Sequence, residues 1–345
     1  MALIHLTRRE LIAAAPLVVA APGLLRAAQA EPDVWRFLVI GDWGRDGRQG
    51  QAETAKAMTE VARARSASEK SEFVISTGDN FYHWGVWSKN DRRWKTCFED
   101  VYPADLGNWY AVLGNHDYGG SVRGQMNRHQ VTSRWNMDDH CWDRVLTKEG
   151  RPPLHLIFFD TVAWIGEESF PFMLYGAQMN AATQERQRAK LTAALEASPK
   201  DAIRIAVGHH GIYSVGDHGG RKELEGLDEL LRLHQVRAWV HGHDHCLFHI
   251  KSGAMHYVCS GAGSQVLTAD KRGPDGCALL SGCSGMDEPP QVQSFFRDAP
   301  GTEEHIDGGF ALFELGRDRG EFRFYGRRGA QVVKLNHDGR LYGWA

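Results

Sequence analysis

Seven residues combine hard oxygen and imidazole nitrogen donors in short glycine-led segments: Asp42, Asp79, Tyr82, Asn115, His209, His243 and His245. Five directly follow a glycine, as Gly41-Asp42, Gly78-Asp79, Gly114-Asn115, Gly208-His209 and Gly242-His243. Tyr82 stands three beyond Asp79, and His245 two beyond His243. No thiolate joins the set, so its chemistry suits Zn, Fe, Mn or Co and disfavours Fe–S clusters. Seven donors exceed what one tetrahedral or octahedral ion takes while leaving room for a substrate. The set therefore predicts two ions with a carboxylate between them. Side-chain alternation on an extended segment puts His243 and His245 on one face with Asp244 turned away.

Donors this far apart in sequence need a common scaffold. Apolar runs at 36–40, 73–77, 109–113, 203–207 and 237–240 lead into the five glycine motifs, and their β-branched and aromatic content predicts buried strands. Helical patterns occupy 49–67, 182–197 and 222–234. Strand–helix alternation predicts βαβ units and a largely parallel sheet, with ligands beyond the carboxyl ends of its strands. Residues 119–150 show no clear period, and 261–305 read as a long ordered loop rich in Gly, Pro, Ser and Asp. Runs at 309–315 and 321–325 predict antiparallel strands closing a sheet. There is no internal repeat, and residues 31–345 read as one domain.

The chain has 345 residues, with 40 Lys+Arg against 43 Asp+Glu for a net charge of −3, which argues against a nucleic-acid footprint. Its 15 Phe and 11 Trp exclude disordered and fibrous classes. Residues 1–30 have the order of an export signal: Arg8-Arg9, an apolar run from Leu11 to Leu25, then Ala28-Gln29-Ala30. The adjacent arginines resemble a twin-arginine signal, which exports folded proteins. No later stretch reaches the ~18 continuous apolar residues of a membrane span. A soluble periplasmic or secreted protein is expected. Of Cys97, Cys141, Cys246, Cys259, Cys277 and Cys283, the last two flank a short loop and are the first candidates for a disulfide. Cys246 and Cys259 are as readily buried free thiols.

Taken in order, Gly41-Asp42-Trp43-Gly44, Gly78-Asp79-Asn80-Phe81-Tyr82, Gly114-Asn115-His116-Asp117, Gly208-His209-His210 and Gly242-His243-Asp244-His245 resemble the motif set of calcineurin-like metallophosphoesterases. Trp43, Asn80, Phe81 and above all Tyr82 are similar to the small purple acid phosphatases, the tartrate-resistant type. Asp217-His218-Gly219 and Gly308-Gly309-Phe310-Ala311 extend the resemblance, which spans roughly residues 34–336. His210 departs from it, standing where the family pattern has an aromatic residue.

The resemblance implies an α/β fold of two packed mixed β-sheets flanked by helices, an α/β/β/α sandwich. It implies that Asp42, Asp79, Tyr82 and His245 bind Fe(III), and that Asp79, Asn115, His209 and His243 bind a divalent ion (Fe, Zn or Mn), so that Asp79 bridges. Two ions about 3.5–4 Å apart clamp an in-line displacement and activate a water as hydroxide. His116 and His218 are the candidates to donate to phosphoryl oxygens or to protonate the leaving group. Asp117 and Asp244 are expected to orient neighbouring histidines, His210 to be a hydrogen-bonded neighbour, and His241 to be a satisfied core histidine. Trp84, Trp87 and Trp94 either line the substrate mouth or pack their own loop. The resulting expectation is a binuclear-metal phosphomonoesterase with an acidic optimum acting on a small phosphorylated substrate. Alternatives are a phosphodiesterase or nucleotidase of the same superfamily, an iron-dependent redox protein, and a binding module. A redox site has no need of His116 and His218, and a binding module would be expected to lose ligands.

Overall fold

A computed structural model describes residues 34–63, 70–165, 181–267, 290–297 and 301–343. The export signal read at 1–30, the Cys277–Cys283 pair and most of the 261–305 loop lie outside these residues.

Strands are numbered along the chain. The first sheet contains β1 (Val34–Ile40), β2 (Phe73–Ser76), β3 (Asn108–Ala111), β4 (Trp135–Asn136), β12 (Gly308–Gly316), β13 (Gly320–Arg328), β14 (Gln331–Lys334) and β15 (Gly339–Tyr342). The second contains β5 (Cys141–Leu146), β6 (Leu154–Phe159), β7 (Ile203–Val207), β8 (Ala238–His241), β9 (Leu247–Ser252), β10 (Met255–Ser260) and β11 (Gln291–Phe295). Spatial order is β14-β13-β12-β1-β2-β3-β4, with β15 also on β13, and β11-β9-β10-β8-β7-β6-β5. β1, β2, β3 and β4 pair in parallel, as do β6, β7, β8 and β10, while the outer strands pair antiparallel.

The five motif strands thus do not share one sheet. Three lie in the first and two in the second, which corrects the expectation of a single parallel sheet and agrees with the two-sheet fold. Both kinds of sheet present buried parallel strands with the same apolar signature, so periodicity alone does not divide them. Between the sheets lies one core layer, with Phe37, Val39, Phe73 and Ile75 meeting Leu156, Phe158, Ile205 and Val240. α1 (Gln51–Arg63) covers the outer face of the first sheet through Ala55, Met58 and Ala62. There Trp43, Phe81, Trp94, Phe98, Trp109 and Trp135 pack edge to face, ring centroids 4.7 to 6.3 Å apart. α3 (Thr161–Ile165), α4 (Ala181–Glu196) and α5 (Glu225–Leu233) contribute Trp164, Leu191, Leu195, Leu227 and Leu231 to the outer core of the second sheet. The short α2 (Val122–Met126) lies within the stretch that showed no period.

Candidate metal centre

Four of the seven donors sit in turns of unusual backbone. Asp42, Asp79, His243 and His245 have φ of 59°, 50°, 71° and 45°. This left-handed region is one that non-glycine residues seldom occupy, and its use concentrates at functional sites. Gly78, at φ 96°, allows the close approach of the neighbouring turns. A Cβ there would lie 2.7 Å from His209 Nδ1 and 2.9 Å from the Gly114 nitrogen.

All seven donors converge where the carboxyl ends of β1, β2 and β3 meet those of β7 and β8. Tyr82 Oη donates to Asp42 Oδ1 at 2.9 Å and lies 2.9 Å from His245 Nε2. His245 Nε2 is 3.7 Å from Asp42 Oδ1. On the other side, His209 Nε2 is 3.0 Å from Asn115 Oδ1, 3.3 Å from His243 Nδ1 and 3.5 Å from Asp79 Oδ1. Asp42, Asp79 and His209 offer ligand atoms within 4.8 Å of one another, and so do His209, His210 and His243.

Hydrogen bonds from outside set the rings. His209 Nδ1–H donates to the Thr77 carbonyl and His245 Nδ1–H to the Gln265 carbonyl, both at 2.9 Å. Each ring therefore turns an unprotonated Nε2 inward. His209 Nε2 then faces Asn115 Oδ1, two acceptors at 3.0 Å, an arrangement that a shared cation satisfies.

The electrostatics agree. Burial, then the charge of Asp79, pushes the Asp42 carboxyl well up. Burial works the same way on Asp79, but His209, His116 and the Tyr82 hydroxyl outweigh it and hold that carboxyl at about 2. Burial and both carboxylates push the Tyr82 phenol far above its usual range, so its phenolate needs a cation beside it. Burial drives His243 well down and His245 to about 3, leaving both imidazoles neutral with lone pairs to give. Crowded anionic oxygens and neutral nitrogens fit a pair of cations. The Arg45 guanidinium stacks 3.6 Å over the Tyr82 ring, and its Nε donates to Ser264 Oγ at 3.0 Å.

His116 stands at the rim beside Asn115. Its backbone N–H donates to Asp79 Oδ1 at 2.8 Å and its Nδ1–H to the His83 carbonyl at 3.1 Å, turning Nε2 to within 3.9 Å of Asp79 Oδ2. His218 also reaches the site, with its exposed ring 4.3 Å from that of His243. Asp244 differs from expectation in meeting His218 through the backbone rather than the ring, accepting its N–H on Oδ1 at 3.0 Å and the Ser214 hydroxyl on Oδ2 at 2.6 Å. Asp117 differs from expectation. It accepts from the Gly114, Asn80 and Phe81 backbone amides and the Gln125 amide, tying two turns together rather than orienting His116. His210 is a hydrogen-bonded neighbour, 2.8 Å from Thr161 Oγ1. His241 is a core histidine but half satisfied, because Nε2 has no partner. The three tryptophans divide: Trp94 is core, whereas Trp84 and Trp87 are 47% and 62% exposed. Cys97, Cys141, Cys246 and Cys259 are buried free thiols.

Sequence reasoning passed over Arg221, whose Nη2 lies 3.4 Å from His243 Nε2. The only signal was its position three residues after His218, on a loop without periodicity.

Residues 36–247 match the family model of calcineurin-like phosphoesterases. Purple acid phosphatase 17 of Arabidopsis thaliana is 34% identical over 68% of this chain and 70% of its own length. Tartrate-resistant acid phosphatase type 5 of Rattus norvegicus is 30% identical over 91% of this chain and 93% of its own. Among solved structures, GAP50, the anchor in the inner membrane complex of Plasmodium, superposes with a TM-score of 0.65 at 25% identity, over 88% of this chain and 89% of that one. With its motif strands in two sheets and its donors at their shared end, the chain belongs to the calcineurin-like phosphoesterase family and, within it, to the purple acid phosphatases.

Proposed function

We propose that the protein is an exported phosphomonoesterase with two cations at this centre, Fe(III) held by Asp42, Asp79, Tyr82 and His245 and a divalent ion held by Asp79, Asn115, His209 and His243. The observation that carries the reading is Tyr82 Oη, 2.9 Å from both Asp42 Oδ1 and His245 Nε2, because a buried phenol beside a carboxylate supplies the hard anionic oxygen that favours a trivalent cation. When bound, the cations supply Lewis acidity that holds a phosphoryl oxygen and makes water acidic enough to attack phosphorus. Among the described residues no helix is long and apolar enough to cross a membrane.

The remaining work falls to the chain's own side chains. With Nδ1–H committed to the His83 carbonyl, His116 presents Nε2 to the substrate. Protonated, that nitrogen donates to a phosphoryl oxygen or passes its proton to the leaving-group oxygen. His218, anchored through Asp244, does the same from the His243 side. Burial of Asp42, Asp79 and His209 keeps bulk water from screening the charges beneath the substrate.

Metal analysis and a visible spectrum of natively purified protein test this, together with hydrolysis of an aryl phosphate. Iron with one further ion, a phenolate-to-iron band that Tyr82→Phe removes, and phosphate release are expected. A colourless, fully loaded and active wild type would sink the iron assignment. A wild type without hydrolytic activity would sink the enzyme.

A further inference from the structure

His243 has two edges. Nδ1 faces His209 Nε2 at 3.3 Å within the centre, and Nε2 faces away from it, 3.4 Å from Nη2 of Arg221. A ring that gives Nδ1 to a cation carries its proton on Nε2. The second contact then sets one N–H against another with no acceptor between them. Arg221 Nε is buried and has no hydrogen-bond partner either. A guanidinium has donors only, so its own chemistry cannot repair this.

The corner is built rather than loose. The Arg221 backbone N–H donates to the Gly211 and Ile212 carbonyls at 3.1 and 3.2 Å. His218, whose ring packs 4.3 Å from His243, is held by Asp244. Among the described residues no carboxylate forms an ion pair with Arg221. Directed N–H groups, an unbalanced positive charge and a metal centre alongside define a seat for an anionic oxygen.

We propose that Arg221, unpaired beside His243, binds a non-bridging oxygen of the substrate phosphate. This rests on the phosphatase reading and adds to it a residue that touches substrate without holding a cation. Arg221 binds substrate and transition state alike, so its removal acts on affinity more than on turnover.

The test compares Arg221→Met and Arg221→Lys with wild type in the metal-loaded enzyme. Calorimetry reads the affinity for inorganic phosphate, kinetics on an aryl phosphate separate KM from kcat, and metal content is measured alongside. Arg221→Met should weaken phosphate binding and raise KM by roughly 10- to 100-fold, the usual range for a charge-assisted hydrogen bond, with kcat changed less than about threefold. Both ions should stay bound, and Arg221→Lys should recover part of the loss. Phosphate affinity and KM within about twofold of wild type in Arg221→Met would overturn the proposal, as would loss of an ion accounting for the whole effect. An active wild type indifferent to Arg221→Met fails this inference alone, whereas a wild type that neither turns over nor binds phosphate fails the phosphatase reading with it.

Discussion

The backbone N–H of His243 donates to Oδ2 of Asp42 at 2.9 Å, joining a turn after β8 in the second sheet to a turn after β1 in the first. This bond crosses the seam in which every proposed ligand lies. Around it, Asp42 and Asp79 repel each other, and Tyr82 resists ionisation beside both.

Removing the ions should therefore destabilise the fold as well as end catalysis. A ligand present at about 1,000 times its dissociation constant stabilises by roughly 4 kcal/mol, and a domain of this size shifts by about 2–4 °C per kcal/mol. Chelated protein should melt roughly 10 °C below loaded protein in a calorimeter. Equal melting temperatures would mean that no tightly held ion sits on the seam.

His116 contacts Asp79 through its backbone and the reaction space through its ring. His116→Ala keeps the backbone bond, so both ions should remain while kcat on an aryl phosphate falls by roughly 10²-fold or more. Parallel loss of metal and rate would reduce His116 to a support.

Asp117 accepts from five donors on two turns and α2, and burial, then the charge of Asp79, pushes its carboxyl up to about 7. Asp117→Asn puts an NH2 group among those donors. A loss of about 1–3 kcal/mol in urea unfolding is expected, the cost of unsatisfied buried donors. A variant as stable as wild type would show that the amide finds other partners.

A second histidine cluster, away from the centre, sets an acid limit. His337 Nε2–H donates to His249 Nδ1 at 2.9 Å and His249 Nε2–H to His256 Nδ1 at 2.8 Å. His256 donates onward to the Leu341 carbonyl, so each ring is neutral and its tautomer is set. Burial holds His337 at about 4 and, with Lys251, His256 at about 4, while burial and its two neighbours drive His249 well down. Unfolded histidine titrates near ~6.5. Folded values below that mean the contribution is complete above ~6.5 and is lost as pH falls through about 4. The urea midpoint should drop between pH 7 and 4.5, and less steeply in His337→Gln. A flat profile would refute the neutral chain.

The strand ends were legible because each carries glycine followed by a ligand, a pairing that pattern and chemistry mark together. Asp42, Asp79, Asn115, His209 and His243 all fall where strand logic put them. The division into two sheets was not legible, since β3 and β7 are both short, largely buried strands and nothing in either names its neighbours. β5, buried at Cys141 and Trp142 but alternating beyond, disappeared among scattered charges. Arg221 was hidden for another reason. Its loop has no period, and its importance lies in facing the second nitrogen of a ring 22 residues further on.

The left-handed backbone at Asp42, Asp79, His243 and His245 has a consequence for where this protein matures. A chain that must hold three contorted turns against mutual repulsion gains from capturing its ions as the two halves close, not afterwards. Cargo and fold would then be acquired together, and whichever compartment finishes folding the protein must also stock its metal.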